Sequence, residues 1–219
     1  MRRSISSHLT ILSVAALAIA GCTKDPTEGK AAAQVAEAKQ EKAAPAAAET
    51  LKVSPDSKLG FVGAKVTAQH VGEFQDFDGT ISLVDGKVEG GKVEFEVRVA
   101  KMVVDGGLEK LENHLRSPDF FDVEQFPTAR FVSTEIKAGS DKPGMTHTVT
   151  GNLEIRGTKR SVTFPAKIDV GASAVTASTE FGINRKDFGI VYPGMPDDLI
   201  KDNVLIRVDF KAPRAAAAN

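Results

Sequence analysis

At 219 residues the chain is long enough for one ordinary domain with a sizeable core, and no internal repeat divides it. Its 28 Lys and Arg balance 29 Asp and Glu, which gives no electrostatic reason to expect a nucleic-acid partner. The single Cys excludes an intramolecular disulfide.

Arg2 and Arg3, the apolar stretch 9–20 and Ile19-Ala20-Gly21-Cys22 read as an export signal over residues 1–21. The apolar stretch is shorter than the ~20 residues that cross a bilayer. Small residues directly before Cys22 resemble a bacterial lipobox, which makes Cys22 the candidate lipid-attachment residue. The expected location is the bacterial cell envelope. Thr23 in place of Asp after Cys22 favours the outer membrane facing the periplasm, by the sorting pattern of enteric bacteria. The membrane is then a partner through the anchor.

Residues 22–50 read as an anchored Ala-rich linker. Ten of residues 23–50 are Ala and the largest apolar side chain is Val35, too little to offset the ordering entropy of a core. Such a tether spans about 30 Å, with a transient helix over 31–42 ended by Pro45.

Residues 51–213 form the expected single domain, and its dominant signal is period-two alternation. In residues 92–99, Val93, Phe95, Val97 and Val99 oppose Lys92, Glu94, Glu96 and Arg98. Similar runs cover 59–68, 77–84, 129–136, 145–155, 162–170, 175–181 and 204–210, giving eight expected strands. Asp85-Gly86, Gly90-Gly91, Pro143-Gly144, Gly157-Thr158 and Gly171 supply turn chemistry. Short connections imply an antiparallel meander. Eight strands suit a closed barrel that fills with side chains or holds one small ligand, although a sandwich would alternate in the same way.

One helix interrupts the strands. Leu108, Leu111 and Leu115 recur at helical spacing opposite Glu109, Lys110, Glu112 and Asn113, with Asp105 a candidate N-cap and Pro118 the stop. Four Phe follow within twelve residues: Phe120, Phe121, Phe126 and Phe131. Exposed together they would make a large apolar patch, so they must fold onto a core or roof an apolar chamber. Residues 214–219 read as a tail.

Catalytic chemistry finds no footing: there is no G-x-S-x-G elbow, and His70, His114 and His147 lack the short spacings of metal sites. Asp187, Asp197, Asp198 and Asp202 are the only acidic concentration, and their turn-rich, Lys- and Arg-interleaved setting favours capping over calcium. No enzyme activity, cofactor or metal is expected.

The run His114-Leu115-Arg116-Ser117-Pro118-Asp119-Phe120-Phe121 through Phe126-Pro127 resembles the signature of the YceI-like family. Residues 72–79 (Gly72, Phe74, Phe77, Gly79), 149–159 and 183–190 are similar to that family's early, central and late motifs, in the same order. The resemblance covers 51–213. It implies an all-β fold, an eight-stranded antiparallel lipocalin-like barrel with one short helix capping an end. It further implies a ligand of the isoprenoid or fatty-acid type, bound as an apolar chain. The expected ligand-binding residues are Phe74, Phe77, Leu111, Leu115, Phe120, Phe121, Phe126, Phe131, Phe181 and Phe188. The rival expectation is an envelope-tethered structural or interaction module with a filled core and no ligand. The oligomeric state is left open, a homodimer included.

Overall fold

The computed structural model describes residues 23–45 and 48–214. The strands come in the order β1 (Ala31–Ala32), β2 (Gln34–Glu37), β3 (Glu49–Lys52), β4 (Lys58–Ala64), β5 (Gln69–Phe74), β6 (Phe77–Val84), β7 (Lys87–Arg98) and β8 (Met102–Val104). The one α-helix, α1 (Glu109–Arg116), follows. Then come β9 (Thr128–Ala138), β10 (His147–Ile155), β11 (Thr158–Val170), β12 (Ala174–Asn184), β13 (Gly194–Met195), β14 (Asp198–Leu199) and β15 (Asn203–Pro213).

Thirteen strands share one curled, almost wholly antiparallel sheet in the order β3-β6-β7-β9-β10-β11-β12-β15-β4-β5-β8, with β1 added to β12 and β2 to β11. β13 and β14 form a separate hairpin. The chain is thus all-β with one helix, but the count differs from the expected eight. Each alternating run does form a strand; the surplus comes from segments too short to show alternation. The run 59–68 breaks at a turn, and its continuation is β5. β5 bonds β4 on one edge and β8 on the other, and β8 prolongs the line of β7.

Turn chemistry is mostly as expected. Asp85-Gly86 and Arg156-Gly157 both have positive φ at the tips of two-residue hairpins. Gly90-Gly91 is not a turn. It sits inside β7 where the register with β6 shifts, and a Cβ on Gly91 would lie 1.9 Å from the Ser82 carbonyl oxygen. Two glycines there are a bulge signal rather than a reversal.

The expected tether is the largest correction. β11 and β12 pair only from Lys167–Val170 against Val175–Ser178, then part. Pro165, which has no N–H for a ladder, stands where they separate. The N-terminal segment fills the gap: β1 pairs in parallel with Phe181 and Gly182, and β2 pairs antiparallel with Arg160 to Thr163. The segment needs no core of its own. It satisfies two bare strand edges and lays Ala33 and Val35 onto the shared core. Farther along, Asn152 exchanges hydrogen bonds with the Lys39 backbone (2.9 and 2.7 Å), and Glu41 binds Arg130 and Lys159. Arg214, expected to open the tail, is fixed by Glu49 at 2.7 Å and by Ser173. The export signal and Cys22, with residues 46, 47 and 215–219, lie outside the described residues.

Candidate ligand cavity

The inward faces of the sheet meet where the Phe95 and Phe210 rings stack 3.8 Å apart, but not throughout. They enclose a cavity of about 830 Å³ whose wall is overwhelmingly hydrocarbon. One group of core residues, including Val149, Phe164, Ile168, Phe181, Ile183 and Phe188, bounds one part of it. A second group gathers under the helix: Phe61, Val99, Met102, Val104, Leu115, Phe120 and Ile190. The volume falls within the ~300–1,000 Å³ usual for small-molecule pockets.

Eight expected ligand-binding residues line it: Phe74, Leu111, Leu115, Phe120, Phe121, Phe131, Phe181 and Phe188. Phe77 and Phe126 do not. Phe77 packs on Phe210 (ring centroids 6.4 Å apart) and borders a second, more polar hollow beside Lys58 and Arg207. Phe126 covers the β10–β11 hairpin tip, where a Cβ on Gly157 would lie 2.6 Å from its ring. The Phe-rich sequence is therefore partly a roof and partly an outer clasp. Arg156 completes the clasp by donating to the carbonyls of Pro118 and Gly189, both at 2.7 Å.

The roof follows from its backbone. Ser117 ends α1, and the Phe121, Asp122 and Val123 amides bond back to Leu115, Ser117 and Arg116. That fold-back drives Phe121 edge-on against Phe61 (6.3 Å) and Phe74 (6.4 Å). Phe120 meets His114 at 5.0 Å and Tyr192 at 5.5 Å.

The helix departs from expectation in two places. Asp105 is not its N-cap; it has φ 48° and binds His70 and the Val71 amide. Burial alone would raise the Asp105 pKa, but these bonds outweigh it and hold the carboxyl below its ordinary range. Glu112, expected on the solvent face, is buried and accepts from the Val104 amide at 3.0 Å. It ties α1 to β8.

Several wall residues lie outside the expected set: Phe61, Phe95, Phe164, Phe210, Tyr192 and Ile206. Phe164 and Phe181 stack at 4.1 Å across the parted β11 and β12. Phe61 lies over Gly72, and Phe95 over Gly79, its direct partner across the strands; a Cβ at either glycine would come within 2.3 Å of the ring. The period-two alternation already puts Phe95, Phe164 and Phe210 on inward faces, so the signal was present in the sequence.

Lys65, His70, Lys110, His114, Asp198 and Lys201 join the lining, as do Arg130, Thr179 and Arg185. Buried Arg185 holds its loop, donating to the carbonyls of Ile190 (2.7 Å) and Lys201 (3.1 Å) and to Asp202 (3.2 Å). Burial lowers its pKa against the pull of Asp202. Asp198 is neutralised by Lys65 and accepts from Thr67, the structural role expected of that acidic group. His70, His114 and His147 each sit beside a different carboxylate: Asp105, Asp119 and Glu89. Among the described residues no group of three side chains is placed to hold a metal.

Comparison with known proteins agrees with this geometry. A UPF0312 protein of Pseudomonas putida is 32% identical over 161 residues, 68% of this chain and 80% of its own length. One from Shewanella denitrificans is 37% identical over 129 residues, 55% of this chain and 63% of its own. BcnA of Burkholderia cenocepacia superposes with TM-score 0.63 at 24% identity, over 73% of this chain and 99% of that one. A polyisoprenoid binding domain from Saccharophagus degradans gives TM-score 0.58 at 13% identity, over 76% of this chain and all of that one. Both likenesses are likenesses of fold. The YceI-like domain family matches residues 52–212, and the chain belongs to it.

Proposed function

We propose that the protein holds an apolar chain lipid, of the isoprenoid or fatty-acid type, inside a lipocalin-like barrel in the bacterial cell envelope. The observation that carries this is the 830 Å³ hydrocarbon-walled cavity, which offers few polar groups to a polar ligand. A flexible chain is held by area, and burying about 300 Å² is worth roughly 7 kcal/mol gross before binding entropy is subtracted. The neighbour in Saccharophagus degradans, described as polyisoprenoid-binding, supports the same class. The contact of Phe61 with Gly72 supports it too, because a side chain at that glycine would displace the ring.

The proposal includes export and acylation at Cys22, with no residue assigned to catalysis. The rival, an interaction module with a filled core, fits the cavity poorly. Native mass spectrometry and solvent extraction of the purified protein test the reading, and co-purified prenyl or fatty chains are the expected result. Protein that emerges empty and refuses both chain types when offered them overturns it. Metabolic labelling with a radioactive fatty acid, lost in Cys22→Ser, tests the anchor separately.

A further inference from the structure

Among the described residues, the large apolar side chains that stand exposed are Val71, Leu108, Val191, Met195 and Leu199, and all belong to one end of the molecule. Leu108 and Met195 themselves line the cavity opening. Leu199 pairs with Gly194 beside Met195, and its carbonyl accepts from the Val66 amide. Val191 precedes Tyr192, whose ring meets His114 of α1 at 5.1 Å. The Val71 carbonyl accepts from Asp105, in the loop that runs into Leu108. The far end, formed by the turns around 85–86, 139–146 and 171–173, carries no such residue. Single exposed apolar side chains are ordinary, but a cluster around one opening marks a contact surface.

The path of the N-terminal segment points to the occupant. The Thr23 amide donates to Val66 (3.0 Å), Lys201 reaches the Thr23 carbonyl, and Gln69 donates to the Lys24 carbonyl (2.9 Å). Whatever precedes Thr23, the apolar stretch 9–20 and Cys22 included, therefore joins the domain beside the cavity opening and not at the end of a long tether. Lys110 and Lys201 border the same opening. Apolar side chains with lysines beside them suit a lipid headgroup boundary, where the lysine stems lie along the apolar surface and the ammonium groups reach the headgroups.

We propose that this end is a membrane-docking surface: the five apolar side chains enter one leaflet with the cavity opening turned toward it. An apolar chain can then pass between leaflet and cavity without exposing its methylenes to water. The purpose rests on the lipid-carrier reading, but the docking itself is read independently of any cargo.

The test uses the full chain carrying Cys22→Ser, so that one added cysteine bears a polarity-sensitive fluorophore. Val191→Cys and Leu108→Cys report the proposed face, and Asp141→Cys reports the far end. Because residues 9–20 are themselves apolar, the contrast between positions is the readout. With vesicles of phosphatidylethanolamine and phosphatidylglycerol, labels at 191 and 108 should shift to the blue and be quenched by brominated lipid, while the label at 141 stays unchanged. Met195→Glu with Leu199→Glu should weaken vesicle partitioning by about tenfold or more, since each removes apolar area from the contact. Equal responses at all three positions overturn the proposal. So does a blue shift without vesicles that grows with protein concentration, which would make the occupant a second copy. If the labels are quenched but the protein carries no lipid, docking stands and the carrier reading falls; the reverse result has the opposite meaning.

Discussion

The two edges of β12 show different ways of closing one sheet. Toward β15 the strand runs eleven consecutive residue pairs. Toward β11 it makes only four, and β1 pairs with two further positions of that edge, Phe181 and Gly182. The first edge is sequence-local hairpin pairing. The second is a seam sealed by a segment more than 120 residues away in the chain and by the Phe164–Phe181 stack inside. A sheet that must curl around a cavity cannot keep every ladder full length, and here the discontinuity gathers in one place.

That contrast can be broken most severely from within. Phe181→Ala removes a buried ring that faces the cavity and bridges the seam, and should cost about 3–5 kcal/mol in denaturant unfolding. A seam already held by β1 and β2 alone would instead lose no more than an ordinary exposed site. The next test is aimed at the N-terminal segment of β1 and β2, the strap that closes the seam. Val35→Asp places a carboxylate against Val162 in the core and should cost about 2–3 kcal/mol, with amide exchange accelerated at residues 160–163. Ala36→Glu, one residue on and facing outward, should change little. Equal effects of the two would mean that β2 does not dock in register.

These particular elements show what a sequence can and cannot reveal. The eight long strands were legible because each alternates on its own, and the inward Phe95, Phe164 and Phe210 follow from the same pattern. The strap was not legible. Ala31 to Glu37 lacks the apolar content of an independent element, and the slot that orders it exists only after β11 and β12 have folded and parted. Glu112 was misplaced for a different reason: its spacing from Leu108 and Leu115 puts it on the apolar stripe, its charge argued for solvent, and only β8 supplies the amide that lets the carboxylate be buried. Phe126 misled as a site residue because composition marks a cluster of rings without saying which side of a hairpin each one covers.

The cavity wall offers a sharper, smaller test. Gly72→Val would push a side chain into the space now held by the Phe61 ring, tilting that ring into the lumen. Overpacking of this kind should cost about 1–2 kcal/mol while markedly reducing the lipid recovered per protein. Glu73→Val, one residue on and facing outward, should leave lipid content near normal. Equal lipid recovery from the two variants would separate the ring-over-glycine contact from cavity capacity.

The gentlest probe of the seam is pH. The Lys30 ammonium holds the Glu180 carboxyl below its ordinary value of 4.5, helped by Arg207. For Glu41 burial pushes upward, but bonds from Asn152, Lys159 and Arg130 prevail and lower it as well. Both carboxylates clamp the strap, Glu180 at its start and Glu41 beyond its end. A depressed folded-state pKa contributes stability that is complete above the unfolded value and fades as pH falls through the folded one. The clamps should therefore be intact above about pH 5 and weaken below 4.5. Each pair is partly exposed, so each is worth no more than about 1 kcal/mol and less at high salt. Hydrogen exchange at residues 31–41 should accelerate in that acid window, after correction for its intrinsic pH dependence, before the β12–β15 ladder responds. In a Glu41→Gln, Glu180→Gln variant the acid response of the strap should largely vanish. If the ladder and the strap loosen together, the seam is no weaker than the rest of the sheet, and the contrast between the two edges of β12 is one of geometry only.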